Sequence, residues 1–276
     1  MAQKFEKDKD EKIINMYLNK MSSCKIAKEM NISPSSVINV LKRNGIDSRS
    51  NKENSRKFTL DDNYFEAIDS ESKAYWLGFM YADGYIDKAN NFGMSLAIID
   101  KNHLEKFKKD INSTYEIKQY VSSGFSNSLY VRLLMKSEKA INDLIDKGCY
   151  KNKTNILTEP KNVPEEYIKD FIRGYFDGDG CFTYSIDNVK TEHYRAAVKI
   201  LGTEAFLDFI KVFIEENTSI KIGNYSTRKE GQIVKCLEFG GNLQVQEFMN
   251  LIYKDANIFL ERKNTKYLYF LSLINK

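Results

Sequence analysis

Along the first 46 residues the apolar positions fall on three short helical stripes. Ile13, Ile14, Tyr17 and Leu18 mark the first. Ser22 caps a second, with Ile26 and Ala27 facing inward, and Asn31-Ile32 makes a turn. Ser33 caps a third whose Pro34 takes the favoured first position; Val37, Val40 and Leu41 form its buried stripe and Gly45 ends it. Residues 47–62 lose this period and become polar, as a linker does. From residue 63 the period switches repeatedly between helical and strand spacing. A helix over 72–82 precedes strands over 85–87 and 92–99, a helix over 101–112, strands over 115–121 and 128–135, and a helix over 137–148. The same order returns as a helix over 165–178, strands over 181–186 and 194–201, a helix over 204–216, strands over 220–227 and 233–239, and a helix over 243–254. Each unit reads αββαββα, so the pattern predicts an α+β protein with two pseudo-symmetric halves about a twofold axis. The expected divisions are residues 1–46, 47–62, 63–160 and 161–276.

Composition narrows the function classes. No apolar run approaches the ~20 residues of a membrane span, and the charged N-terminus lacks the apolar core of a signal peptide. The expected location is therefore cytoplasmic or organellar, not secreted. Four cysteines, Cys24, Cys149, Cys181 and Cys236, lie far apart without a C-x-x-C pair, which disfavours zinc and fits reduced thiols. With only His103 and His193, histidine-centred nuclease chemistry has little to work with.

Charge is uneven. Residues 1–57 hold 13 Lys/Arg against 7 Asp/Glu, a balance of +6 that leaves −2 for the remainder. A basic head on a near-neutral body suggests contact with a polyanion. The three helices resemble a helix-turn-helix of the kind in resolvases and transcription regulators, with Ser35, Ser36, Asn39, Lys42 and Arg43 on the exposed face of the third. Arg49, Lys52, Arg56 and Lys57 can run along DNA as an extended arm.

Two nine-residue stretches carry the candidate chemistry: residues 76–84 (WLGFMYADG) and 172–180 (IRGYFDGDG), 96 residues apart. Each sets two small residues four positions apart, Gly78 and Ala82 in one, Gly174 and Gly178 in the other. Residues i and i+4 share a helix face, so small ones there let two helix backbones approach closely. Packing along that seam brings Asp83 and Asp179 together at two helix C-termini, where the helix dipoles add negative potential. Paired carboxylates at such a point suit a divalent cation.

With these motifs, each opening a matching αββαββα unit, the chain resembles the LAGLIDADG homing endonucleases of the double-motif, single-chain kind, over residues 63–276. At the sixth motif position Asp177 is the family's usual acid, whereas Tyr81 replaces it in the first copy. The resemblance implies a monomer whose motif helices form the interface between halves and whose antiparallel sheets make a saddle over double-stranded DNA, on a long pseudo-palindromic or asymmetric target. It implies phosphodiester hydrolysis with Mg2+ (or Mn2+) at Asp83 and Asp179, helped by the carbonyls of Ala82 and Gly178. It also implies basic residues near the scissile phosphates, matched here by Lys153 and Lys263, with Lys151 and Arg262 as neighbours. On the strands, alternation sets Arg195 and Lys199 opposite the inward Ala196, Val198 and Ile200, and Arg132 opposite Val131 and Leu133; Lys118 and Lys235 are further DNA-facing candidates. Association with a mobile element or intron homing follows from the same resemblance. A non-cleaving DNA-binding regulator and an RNA-splicing maturase are the alternatives; an intein-borne enzyme is not expected, since splice-junction residues are lacking.

Overall fold

The computed structural model describes residues 2–19, 21–48, 57–122, 127–188, 193–227, 229 and 231–275. Arg49, Lys52 and Arg56 of the expected basic arm lie outside these residues. The chain divides into two units, Met1–Phe58 and Thr59–Lys276. The boundary falls inside the expected linker because residues 59–62 are pinned to the second unit. Thr59 N–H donates to Thr114 Oγ1 at 2.7 Å, Thr114 N–H donates back to the Thr59 carbonyl, and Asp61 N–H donates to the Ile111 carbonyl. Leu60 is buried there.

The first unit holds α1 (Ala2–Leu18), α2 (Ser23–Glu29) and α3 (Pro34–Arg43). Ser22 and Ser33 accept from the N–H groups of Lys25 and Ser36, satisfying donors that a helix start leaves open. Asn31, at φ 51°, makes the left-handed turn between α2 and α3. Ile13, Tyr17, Ile26, Ala27, Val37 and Leu41 form this unit's own core. Leu18, expected on the inward stripe, is 64% exposed because α1 ends there.

The second unit is built on α4 (Glu71–Ala82) and α7 (Ile168–Asp179), the two motif helices, packed face to face. Around α4 stand β1 (Gly84–Ile86), β2 (Phe92–Ala97), α5 (Lys101–Asp110), β3 (Lys118–Val121), β4 (Leu129–Met135) and α6 (Glu138–Asp146). Around α7 stand β5 (Cys181–Asn188), β6 (His193–Thr203), α8 (Glu204–Asn217), β7 (Val234–Gly240) and α9 (Asn242–Tyr253). The first sheet runs β1-β2-β4-β3 and the second β5-β6-β7, with antiparallel pairing throughout. Mixed helix and antiparallel sheet is the expected α+β class. Among the described residues no helix is long and apolar enough to cross a membrane.

Two elements differ from the sequence pattern. The strand expected over 220–227 contributes only an isolated bridge, Ser226 to Cys236. Ile220 and Ile222 do alternate inward, but the nearby backbone donors go to helix carboxylates instead of a ladder: Ser219 N–H to Glu247 at 2.6 Å and Ile222 N–H to Glu215 at 2.8 Å. The second difference is an added helix, α10 (Glu261–Ile274), in a stretch read only as a basic segment. Its buried stripe is Lys263, Tyr267 and Phe270, and a lysine at the head of the stripe hides the helical period.

Candidate functional site

The seam between α4 and α7 is made by absent side chains. A Cβ on Gly78 would run into the Phe171 carbonyl oxygen, and one on Gly174 into that of Tyr75. At Gly178 a Cβ would collide with the Ala82 methyl and lie 3.3 Å from Asp83 Oδ2. The two helices therefore touch backbone to backbone along the seam, and their C-terminal aspartates meet beneath the last of these approaches. Asp83 is half-buried, while Asp179 opens to a groove of about 400 Å³ that it lines with Cys181, Lys199, Cys236 and Glu238.

Both carboxyls are held above the ordinary carboxylate range. Burial pushes Asp83 up to about 6, the Asp179 charge adds to it, and Lys263, Lys153 and Arg262 pull it back. Burial also raises Asp179, against the pull of Lys153 and Lys263. Asp179 shows this shift although its surface is open, because the groove walls exclude solvent from one side of the carboxylate. Charge repulsion and desolvation together leave this point short of positive charge.

Two lysines answer it in matching ways. Lys153, in a 3₁₀ turn after α6, donates from Nζ to the Gly84 carbonyl, the residue after Asp83. Lys263, in the first turn of α10, donates to the Gly180 carbonyl, the residue after Asp179. It also reaches the carbonyls of Phe176 at 2.5 Å and Gly178 at 3.3 Å. Both side chains are buried. Burial lowers Lys263 to about 8, opposed by the charges of Asp177 and Asp83. Their sequence neighbours are engaged elsewhere: Lys151 bonds the Asp87 carbonyl at 3.0 Å, and the Arg262 Nε–H is shared between the two Asp100 carboxylate oxygens at 2.8 and 3.0 Å.

The donor set fits a small hard cation. Among the described residues no cluster of three or more His, Cys, Asp or Glu side chains exists that could hold a metal alone. Two carboxylates with nearby backbone carbonyls, one of them (Gly178) shared with Lys263, match an ion that keeps several waters and takes its remaining oxygens from a phosphate ligand.

Beneath the site lies a polar layer that the motif spacing did not announce. Asp177 is fully buried and accepts from Tyr75 Oη at 2.8 Å, from Leu260 N–H at 2.7 Å and from Tyr253 Oη. Its counterpart Tyr81 has the opposite polarity, donating to the Lys147 carbonyl at 2.7 Å. Each thus bonds the chain that follows a matching helix of its half, α6 for Tyr81 and α9 for Asp177. Arg173, fully buried within α7, bonds Asp170 at 2.7 Å, Glu71 at 2.6 Å and the carbonyls of Ile252 and Ile258. A charged residue in the middle of an apolar motif was the available signal.

The strand cations diverge. Arg195 is exposed on β6 opposite the buried Ala196 and Val198. Lys199 pairs with Glu238 at 2.8 Å. Lys235 is bound to Glu204 at 2.5 Å and lines the same groove as Lys199 and Glu238. Lys118 is exposed directly across from Arg132, whose guanidinium lies over Tyr120 and Tyr130. In the first unit Ser35, Asn39, Lys42 and Arg43 are exposed, with Arg43 bound to Asp10 at 2.6 Å. Ser36 is half-buried and bonds Ser33 Oγ. Lys57 is exposed beside the Phe58 ring.

No protein-family profile and no curated protein matches the chain. Among solved structures it is similar to the I-LtrWI LAGLIDADG homing endonuclease bound to target DNA, at 15% identity and TM-score 0.49 over 78% of this chain and 92% of that one. It is similar also to the I-AabMI LAGLIDADG meganuclease bound to uncleaved DNA, at 13% identity and TM-score 0.48 over 73% and 90%. The N-terminal LAGLIDADG domain of WhiA is similar at 18% identity and TM-score 0.44 over 75% and 96%. Each is a likeness of fold, and at these identities and TM-scores it carries no argument about this chain's chemistry.

Proposed function

We propose that the second unit is a site-specific, divalent-metal-dependent DNA endonuclease of the LAGLIDADG type, cutting both strands as a monomer. The observation that carries this reading is the pairing of Asp83 with Asp179 at the ends of two glycine-sealed helices, each followed by a glycine carbonyl held by a buried lysine. The twofold repeat suits a duplex, in which one aspartate serves each scissile phosphate. We assign the first unit an added DNA-binding role as a helix-turn-helix, supported by its basic balance and the exposed Ser35, Asn39 and Lys42 on α3.

Asp83 and Asp179 would hold the cation, Mg2+ or Mn2+, with the Ala82 and Gly178 carbonyls. A divalent cation between carboxylate and phosphate supplies charge that makes a water nucleophilic and stabilises the leaving oxygen. The chain's own contribution is positional. The seam sets the spacing of the carboxylates, and Lys153 and Lys263 keep the two motif ends from fraying while adding positive charge beside the carboxylates. The two sheets then present exposed alternate residues to the major groove as a saddle.

The test is plasmid cleavage in magnesium on the uninterrupted locus at which the gene inserts, scored separately for nicked and linear product. Asp83→Asn and Asp179→Asn should each abolish linearisation while DNA affinity, measured in calcium, stays near wild type. A single variant that still linearises at the wild-type rate removes the two-carboxylate reading. Binding without cutting by the wild-type protein, with any divalent ion, makes the chain a DNA-binding regulator instead.

A further inference from the structure

The outer faces of the two sheets carry equivalent positions with unlike chemistry. In the first sheet Ser95 lies between the buried Met94 and Leu96 and pairs across strands with Arg132. In the second, where Cys181 across from Lys199 matches Tyr85 across from Gly93, the equivalent pair is Leu201 with Cys236, neither of them a cation. The cation on that strand, Lys199, stands two residues earlier and is neutralised by Glu238, ammonium to carboxylate at 2.8 Å. Arg132 is a cation without a carboxylate among the described residues.

That cation is also held in one pose. Tyr120 and Tyr130 face each other across β3 and β4 as a stacked pair, with centroids 5.4 Å apart and planes 20° from parallel. The Arg132 guanidinium carbon sits 5.0 Å from the first ring centroid and 5.5 Å from the second. Its Nε donates to Ser95 Oγ at 3.1 Å, and one terminal N–H reaches the Tyr130 hydroxyl at 3.3 Å. A guanidinium carries five N–H donors in a rigid fork, so three remain for a ligand. Aromatic contacts and the Ser95 bond remove in advance much of the rotamer freedom that a free arginine loses on binding.

We propose that Arg132 is a base-reading residue that selects guanine through O6 and N7 at one position of one half-site, and that the other half-site has no equivalent reader. This rests on the DNA-cleaving reading above. A fork with donors only matches the two acceptors that guanine alone places side by side in the major groove. A phosphate contact, by contrast, needs charge but no fixed plane. Leu201 and Cys236, at the equivalent positions of the second sheet, offer no such fork, so the recognised sequence is asymmetric there.

The experiment is selection of bound duplexes from a randomised library with calcium in place of magnesium, using wild type, Arg132→Lys and Arg132→Met. Wild type should enrich a sequence with a guanine in one half-site. Both variants should lose that preference by roughly 5- to 150-fold while keeping the other positions. Replacing that guanine by 7-deazaguanine should weaken wild-type binding by itself, which tests the contact in an unaltered protein. Equal weakening on all sequences, an unchanged consensus in the variants, or indifference to 7-deazaguanine overturns the proposal and leaves the endonuclease reading intact. Failure of the wild-type protein to enrich any sequence overturns both.

Discussion

Tyr75 on one motif helix donates to Asp177 on the other at 2.8 Å, a bond that crosses the seam between the two halves. It is the middle of a longer chain: His103 Nε2 lies 2.9 Å from the Tyr75 hydroxyl, and Tyr253 bonds the second Asp177 oxygen. Because the Tyr75 proton goes to the carboxylate, His103 must give its own proton at Nε2, leaving Nδ1 bare and unpartnered in a buried site. The paired aspartates therefore stand on a polar layer that joins α4, α5, α7 and α9, and the first two predictions concern that layer.

Asp177→Ala would leave two hydroxyls and the Leu260 N–H without an acceptor inside the protein. Unsatisfied buried donors cost about 1–3 kcal/mol each, so a loss of roughly 3–5 kcal/mol is expected. Tyr75→Phe removes one donor together with the His103 link and should cost about 1–2 kcal/mol. Urea unfolding followed by circular dichroism measures both; equal costs would show that Asp177 is not the centre of the layer.

His103 gives the protein an acid-sensitive element. Burial, then the charges of Lys106 and Arg262, lower its pKa from 6.5 to about 3. Between these values the unfolded chain holds a proton that the folded one refuses. The stability contributed by the neutral ring is thus complete above about pH 6.5 and is lost as pH falls toward 3, with a slope of up to about 1.4 kcal/mol per pH unit. His103→Gln keeps a donor for Tyr75 and does not titrate, so its stability should be flatter between about pH 6 and 4. Parallel profiles for the two proteins would show that the histidine titrates normally.

Gly174 has no room for even one methyl group, since its Cβ would enter the Tyr75 carbonyl. Gly174→Ala should cost at least about 1–3 kcal/mol by overpacking and should slow cleavage by separating the carboxylates. Gly223, with nothing within 4 Å of a Cβ, is the matched control, and Gly223→Ala should leave both unchanged. Indistinguishable melting of the two variants would place the seam elsewhere.

Lys153→Met and Lys263→Met should each reduce cutting while DNA affinity changes little, because both ammonium groups face carbonyls inside the protein. Lys263 serves three carbonyls and Lys153 one among the described residues, so the Lys263 variant should also be the less stable. Cleavage rate beside thermal unfolding separates the effects. A Lys263 variant with wild-type cutting would assign the lysine to structure alone.

Deleting residues 1–57 removes the basic head but leaves Thr59 and its bonds to the second unit. The log–log salt slope of binding should flatten by about 0.9 for each phosphate that the head neutralises. Cutting at saturating protein should persist. An unchanged slope would show that the head does not touch the DNA backbone.

Local patterns determined what the sequence by itself could determine. Helix caps at Ser22 and Ser33, the alternation along β4 and β6, and the two motifs with their small residues four apart are all short-range regularities, set by helix and strand periods that any stretch of chain obeys. The repeat then made pairing of Asp83 with Asp179 the natural expectation. Tertiary structure alone decided the partners. Lys153 meets Gly84 across 69 residues and Lys263 meets Gly180 across 83, separations with no trace in local spacing. The same holds for the buried hub at Asp177, for the strand whose donors turned to Glu215 and Glu247, and for the helix hidden behind Lys263. It holds also for the strand cations: Lys199, Lys235 and Arg132 look alike in sequence, and only the side chains that each one meets decide whether its charge is spent inside the protein or left for a ligand.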